Sequence, residues 1–494
     1  MRKNSFLIGC FILMLSNIIT RFIGFFYRVY MSKTIGAEAV GLFQLIMPIY
    51  IFCYSVTASG ITTTVSKLIS EESAKNLNSN CNLILKAALS LTLFLSLSLG
   101  AAMFFYSDIA ATHFIKDIRA GNLLKLLSFC LPFMACGSCI KGYFLGKQTN
   151  IFPAFCQIFE QSVRMVSLFT VITVFSPKNI TSACSAAVIS VVFGEVFSFL
   201  LVVFFLFITQ ENNCQKKSTL SLSTVYKKIL SMAIPLSSSR AAASFLSAVE
   251  NILIPLRLSI YADSAYAISN YGCFTGMIMP LIHFPSSILS AVSTTMVPAI
   301  SKQRTAKKQL SAQVTVNRSI CFTAVSSCFS AVFLFCFAEE ICNVIYSMPQ
   351  LGEMLKMMSV ICPLMYIQIT TNSILNSVGK HFQLFIIGIL SSLSSIGAIY
   401  FIMPLLGIRA FLYGSLISSS VAVIPAVFIS DKFFNIKYLI IKYHIICFIC
   451  AVFSYTVITK LFNIPSLAQM FAMPLLYAVL LFPTGIVKAI KPSP

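Results

Sequence analysis

The chain has 494 residues, 58% hydrophobic and only 10% charged, with a formal net charge of +21 and a mean hydropathy of +0.90. A soluble protein of this length has no interior large enough for so much apolar surface. A lipid-facing barrel would show short alternating segments where this sequence has long unalternated runs, so both classes are excluded. The composition predicts an all-α polytopic membrane protein. In a soluble domain the positive charge would point to nucleic acid, but here Lys and Arg gather in short loops between apolar runs, so no nucleic-acid partner is expected.

The first apolar run contains SNIITRFIGFFYRVYMSKTIG, residues 16–36. Helical spacing puts Asn17, Arg21, Gly24 and Arg28 on one stripe, with Phe, Ile and Tyr around it. An arginine at the centre of a spanning helix costs roughly 2.5 to 3.5 kcal/mol on insertion scales, so such residues face a bundle interior or a wet cavity. If hydrocarbon begins near Phe6, Arg21 lies about 22 Å along the helix and Arg28 about 33 Å, against a core of roughly 30 Å. Arg21 is therefore the deeper anomaly, while Arg28 reads either as a cavity residue or as one that snorkels to headgroups. No cleavage-site pattern follows this run, so a retained signal anchor is expected. FLIGC, ending at Cys10, has too short an apolar part for a lipoprotein box.

Counting apolar runs gives about 14 candidate spans. They cover approximately 5–31, 40–66, 83–106, 122–145, 152–176 and 181–209, then 227–256, 268–300, 318–345, 354–378, 383–404 and 408–430, and finally 437–461 and 464–487. Inner loops collect basic residues such as Lys67, Lys75, Lys147, Lys302, Arg304 and Lys380. Outer loops hold fewer, with Asp108, Asp117, Asp263, Glu339 and Glu340 among them. Both termini are expected in the cytoplasm.

The second half repeats the first. GNLLKLLSFCLP, from Gly121, and GEMLKMMSVICP, from Gly352, align without a gap, and Gly41 has its counterpart in Gly272. Six spans per copy is an even number, so both copies enter the membrane the same way round, in a parallel pseudo-twofold repeat about an axis along the membrane normal; transporters built so bind substrate between the lobes. The expected domains are a six-helix lobe over 1–209, a cytoplasmic linker over 210–226, a second six-helix lobe over 227–430, and two additional helices over 431–494.

The repeat predicts a second polar stripe at the start of the second lobe, and Arg240, Ser244, Ser247 and Asn251 follow the spacing of Asn17, Arg21, Gly24 and Arg28. Arg240 lies about 16 Å in from Ile229, near the midplane, and reads as facing a cavity or as the partner of a carboxylate. In CQIFEQSVRMV, Glu160 and Arg164 stand at i and i+4, the favourable order for a helical ion pair, with substrate or proton coupling as the other reading. Glu195, a membrane carboxylate in VVFGEVFSF, is a candidate for proton coupling or for pairing with one of these arginines. Pro48 and Pro280 should interrupt equivalent helices, each ahead of a run of small hydroxyl residues, as hinges or as ordinary close packing.

Most of the 17 cysteines sit inside apolar runs without metal or disulfide spacing, and read as small buried thiols. The four histidines are scattered. With no phosphate loop and no metal motif, the sequence predicts no enzyme, no cofactor and no metal.

The segments ITRFIGFFYRVYMSKTIGAEAVGLFQLIMPIY and YFLGKQTNIFPAFCQIFEQSVRM, together with the six-span duplication, resemble the stage V sporulation protein B branch of the multidrug/oligosaccharidyl-lipid/polysaccharide exporter superfamily. The phrase formed by Gln157, Glu160, Gln161, Val163 and Arg164 is fairly specific to that branch. The resemblance implies a flippase for undecaprenyl-linked saccharide precursors, in this branch for spore cortex peptidoglycan. In the related lipid II flippases, arginines of the first helix line a central cavity and meet the diphosphate. Arg21 matches the first of these; at the second, Tyr27 stands in the arginine position and Arg28 follows. The carboxylates that bind a cation in some relatives have no clear match in spans eleven and twelve.

The physical reading agrees. A lipid-linked sugar diphosphate has a charged head that cannot cross hydrocarbon alone, and a cationic cavity open sideways would accept the head and leave the tail in lipid. Expected partners are that substrate, membrane lipid and envelope-synthesis enzymes, with a monomer favoured. Two competing functions stay open: a multidrug antiporter of the same superfamily, and a non-transporting membrane scaffold of an envelope complex.

Overall fold

A computed structural model describes residues 2–75, 77–177, 179–209, 220–261, 263–461, 465–484 and 486. Positions 210–219 of the expected linker lie outside the described residues. Among the described residues every regular element is a helix. Long apolar segments leave the chain no other way to satisfy its backbone in lipid.

Nine helical stretches among the described residues are long and apolar enough to cross a membrane, or eleven if each of two bent pairs counts as one crossing. Phe11–Ala74 has 64 residues, about 96 Å as a straight helix against a core of roughly 30 Å. It is broken at Gly36, whose φ of 80° and ψ of 167° suit glycine alone. His381–Phe434, with 54 residues, is interrupted in the same way at Gly407. The expected fourteen is a finer count than these nine to eleven stretches.

The chain divides by contact into two compact units, the first comprising 1–256 with 264–272 and the second 257–263 with 273–494. The first unit contains α1 (Arg2–Tyr54), α2 (Gly60–Ala74), α3 (Asn78–Phe105), α4 (Cys130–Gly146), α5 (Ile151–Phe175), α6 (Ile180–Thr209), most of α7 (Leu222–Tyr261), and α8 (Ser264–Gly272). This grouping differs from the one expected from the repeat, which starts the second lobe at 227. The reason is close packing: Gly60 lies so near α7 that an added Cβ would stand 2.6 Å from the Ala233 carbonyl oxygen and 2.7 Å from the Ser237 nitrogen. Val225, Ile229 and Ala233 accordingly join the buried cluster that Ile61, Val65 and Leu68 form with α3 and α4.

The second unit contains α9 (Met279–Thr305), α10 (Gln309–Cys336), α11 (Cys362–Ser377), α12 (His381–Leu406), α13 (Ala410–Phe434), α14 (Lys437–Leu461) and α15 (Ser466–Leu481). Its core joins Met296 and Ile300 to Ile320, Ile374 and Phe434. The last helices attach to α10. The Tyr477 hydroxyl donates to the Val325 carbonyl at 3.1 Å, and its ring stacks on Phe329 at 5.3 Å.

Both copies of the repeat carry the same ion pair. Lys125 binds Asp108 at 2.7 Å, and the residues 231 positions on, Lys356 and Glu339, are likewise paired. Gly121 and Gly352 make room for the acid in each copy.

Pro48 does not interrupt α1, which runs on through it to Tyr54. The helix instead widens into a π turn at Ser55–Ser59. A lone proline removes one hydrogen bond, which a helix held by neighbours in an apolar setting tolerates. The hydroxyl groups of Thr57, Ser59, Thr62 and Thr63 fold back onto carbonyls four residues earlier, supplying donors around the widened turn. Pro280 stands at the start of α9, directly after another π turn at Cys273–Ile278.

Candidate functional site

The apolar helices bring four charged residues together inside the first unit. Glu160 and Arg164 form the i, i+4 pair at 2.9 Å, and Arg164 also binds Glu195 on α6. A fourth member comes from α4, where Lys141 Nζ lies 3.0 Å from Glu160 Oε2. Ser198 donates to the same oxygen at 3.2 Å. Gly194 lets the Arg164 side chain past, since an added Cβ there would stand 3.0 Å from Arg164 Nε. Two cations and two anions thus cancel where an unpaired charge would be strongly unfavourable.

Lys141 is the residue that sequence reading missed. SCIKGYFLG is an apolar run broken by one lysine close to its inner end, which reads as an interfacial residue. Its value lies in a partner 19 residues away on another helix.

Lys141, Glu160 and Glu195 form one wall of a polar cavity of ≈ 320 Å³. The remaining polar lining is uncharged: Thr20, Tyr54, Thr62, Ser138, Gln157 and Gln161. Ser16 donates to Gln157 at 3.4 Å.

Along α1, Asn17, Arg21 and Arg28 share one exposed face, whereas Tyr27 is buried and shares a 2.8 Å hydrogen bond with Ser190. The one-position shift between Tyr27 and Arg28 is a difference of helix face: Arg28 lies seven residues from Arg21, almost two full turns, and Tyr27 does not. Gly24 packs 3.7 Å from Gln161 Oε1, measured from an added Cβ.

The second stripe has protein partners. Arg240 Nη1 donates to the Ser59 carbonyl at 2.7 Å, Ser244 meets Ser55 at 2.6 Å, and Asn251 accepts from the Tyr271 hydroxyl at 2.8 Å. Arg240 therefore binds the last residue of the π turn Ser55–Ser59, whose carbonyl also accepts from the Thr63 hydroxyl. Neither Arg21 nor Arg240 lines the cavity.

Beyond the spans, Arg119 is clasped by Asp117 at 2.8 Å and by Glu38 at 2.8 Å. Those hydrogen bonds, Asp117's first, raise its guanidinium further above its ordinary range.

The sequence profile of the polysaccharide biosynthesis proteins matches residues 6–304, more than half of the chain. The chain belongs to that family. Within reach of the family, stage V sporulation protein B of Bacillus subtilis (strain 168) is 31% identical over 373 residues, covering 74% of this chain and 72% of the relative. Among solved structures, lipid II flippase MurJ in an inward closed conformation superposes with a TM-score of 0.73 at 17% identity, covering 97% of this chain and 99% of that one. An inward-facing multidrug resistance MATE family transporter of the MOP superfamily gives 0.66 at 16% identity, covering 87% and 98%. This polysaccharide biosynthesis family member is thus a multi-pass membrane protein with the transporter fold of that superfamily.

Proposed function

We propose that the chain is a flippase that carries a polyprenyl-diphosphate-linked saccharide, a peptidoglycan or envelope-polysaccharide precursor, across the cytoplasmic membrane by alternating access. The observation that carries this reading is the exposed face of Asn17, Arg21 and Arg28 on the first helix, beside a polar cavity, in a family member whose relatives include a named lipid II flippase. Arg21 binds the diphosphate through its fork of N–H donors, and Arg28 assists towards the outer mouth. Arg240 holds Ser59 with one Nη1, and its other donors remain for the substrate; Asn17 and Asn251 supply neutral polar contacts.

In this reading the two repeats, 1–209 and 227–430, act as lobes of a fourteen-span protein with both termini in the cytoplasm. The π turns that follow Pro48 and precede Pro280 serve as the hinges, and residues 431–494 add two helices. The protein works as a monomer and hands its cargo to envelope-synthesis enzymes. Glu160, Arg164 and Glu195, joined by Lys141, are a self-compensated polar wall rather than a proton-coupling group, because each charge has a partner. The same pairing weighs against export of cationic drugs, which would need free carboxylates.

Reconstitution with fluorescent lipid-linked precursors tests the proposal by asking whether heads change leaflet. Arg21→Ala and Arg240→Ala should each abolish transfer while membrane abundance stays intact. Wild-type transfer in both variants removes the role assigned to these residues.

A further inference from the structure

The cavity of the first unit is built for something other than an anion. Its one lining cation, Lys141, is spent on Glu160, and the nearby Arg164 is spent on Glu160 and Glu195. A diphosphate placed there would meet two carboxylates and no uncommitted positive charge. A cation would meet carboxylates already neutralised.

What the cavity leaves unused is neutral hydrogen-bonding capacity. Among the described residues, the Ser138 hydroxyl, the Gln161 amide and the Tyr54 phenol line the space and have no side-chain hydrogen-bond partner. Gln161 alone offers two donors and a two-lone-pair acceptor, and each carboxylate keeps lone pairs beyond those its cations take. A set of amide and hydroxyl groups around paired charges suits a polyhydroxyl ring, which presents donors and acceptors on every side. A volume of ≈ 320 Å³ lies at the lower end of the roughly 300–1,000 Å³ of small-molecule sites, enough for a sugar unit or two.

The neighbouring residues bear on which sugar. Thr20 lines the cavity, and the next residue on the same helix is Arg21, on the exposed face. Consecutive helical residues point about 100° apart from nearly the same height. A group held by Arg21 and a group held at Thr20 therefore sit at nearly the same depth, on adjoining faces of α1.

We propose that this cavity is the subsite for the sugar joined directly to the diphosphate, and that Arg21 and Thr20 receive the two sides of that linkage. The proposal rests on the flippase reading and deepens it. Specificity for the glycan is then written in the first unit by Ser138, Gln161 and Tyr54, while the arginine face reads only charge.

The test uses the full-length protein in lipid nanodiscs and two probes, a short-chain polyprenyl diphosphate and the same molecule bearing one N-acetylhexosamine on the diphosphate. Wild type should bind the sugar-bearing probe more tightly. Gln161→Leu and Ser138→Leu should each weaken that probe by about tenfold, the scale of one or two buried hydrogen bonds, and leave the sugar-free probe within about twofold. Binding of the sugar-free probe also reports that each variant is folded. Arg21→Ala should weaken both probes alike. Equal affinity of wild type for the two probes, or equal losses on both in the leucine variants, overturns the subsite alone. Failure of wild type to bind either probe overturns the flippase reading, and the subsite with it.

Discussion

Gly41 lies directly against Gly272, its own counterpart in the repeat: a Cβ added to Gly272 would stand 2.6 Å from the Gly41 nitrogen and 2.9 Å from its Cα. From the other side, a Cβ on Gly41 would collide with the Ile268 carbonyl. The contact is self-complementary in the sense of an isologous interface, made by two equivalent residues of one chain. Backbone sits on backbone there, and no side-chain rotation can relieve an added methyl group.

Gly41→Ala and Gly272→Ala should therefore each destabilise the protein by about 1–3 kcal/mol, as overpacking does. Both substitutions push the same pair of helices apart, so the double variant should lose less than the sum of the two. Thermal unfolding in detergent measures all three; losses that add fully would show that the two methyl groups act independently.

The four-charge cluster should be intolerant of single removals and tolerant of an isostere. Arg164→Met strands Glu195 beside Glu160 and should cost about 3–5 kcal/mol, the usual loss when one partner of a buried pair is removed. Glu195→Gln retains an oxygen that can accept from Arg164 and should cost less. A cycle combining the two with Arg164→Met/Glu195→Gln gives their coupling, and additivity would contradict the bond between Arg164 and Glu195.

Tyr27 separates a face effect from a charge effect. Tyr27→Phe removes only the hydrogen bond to Ser190 and should cost about 0.5–1.5 kcal/mol. Tyr27→Arg places a guanidinium in a buried position facing a hydroxyl, and should lower membrane abundance sharply instead of strengthening substrate binding. A well-folded Tyr27→Arg protein with enhanced transfer would contradict the burial of this position.

The Arg119 clasp should contribute little and vary with salt but not with pH on its own account. Arg119 has about a third of its side chain exposed, so Arg119→Ala should cost no more than about 1 kcal/mol, and less at high salt. Its guanidinium is raised in the folded state, so its contribution is complete below the unfolded value and is lost only as pH rises through the folded one. Both lie beyond any practical titration. Melting temperatures of wild type and variant, compared across salt and pH, check both statements.

What the sequence makes legible follows the range of the interactions involved. The Glu160–Arg164 pair is set by one helical turn, and the duplicated strings at Gly121 and Gly352 are written out in letters; the paired acids Asp108 and Glu339 then fall at the same repeat offset. Lys141 could not be assigned in this way, because its meaning depends on how α4 lies against α5. The same holds for Ser190 as the partner of Tyr27, and for Tyr271 as the partner of Asn251. Arg240 is recognisable as an anomaly at depth, yet its partner is the Ser59 carbonyl in a π turn, and no residue type announces such a turn. Pro48 does not mark the irregularity by itself: α1 runs on through it, and the π turn begins seven residues later, at Ser55.

The cancellation among Lys141, Glu160, Arg164 and Glu195 has an electrical consequence. A membrane potential of 100 mV acts on a single elementary charge with about 2.3 kcal/mol across the full bilayer, yet it does almost no net work on four charges that travel together and sum to zero. Tilting of the helices that carry them is thus nearly silent electrically. In the proposed flippase, any voltage dependence would then come from the anionic cargo and from the arginines assigned to it, Arg21, Arg28 and Arg240.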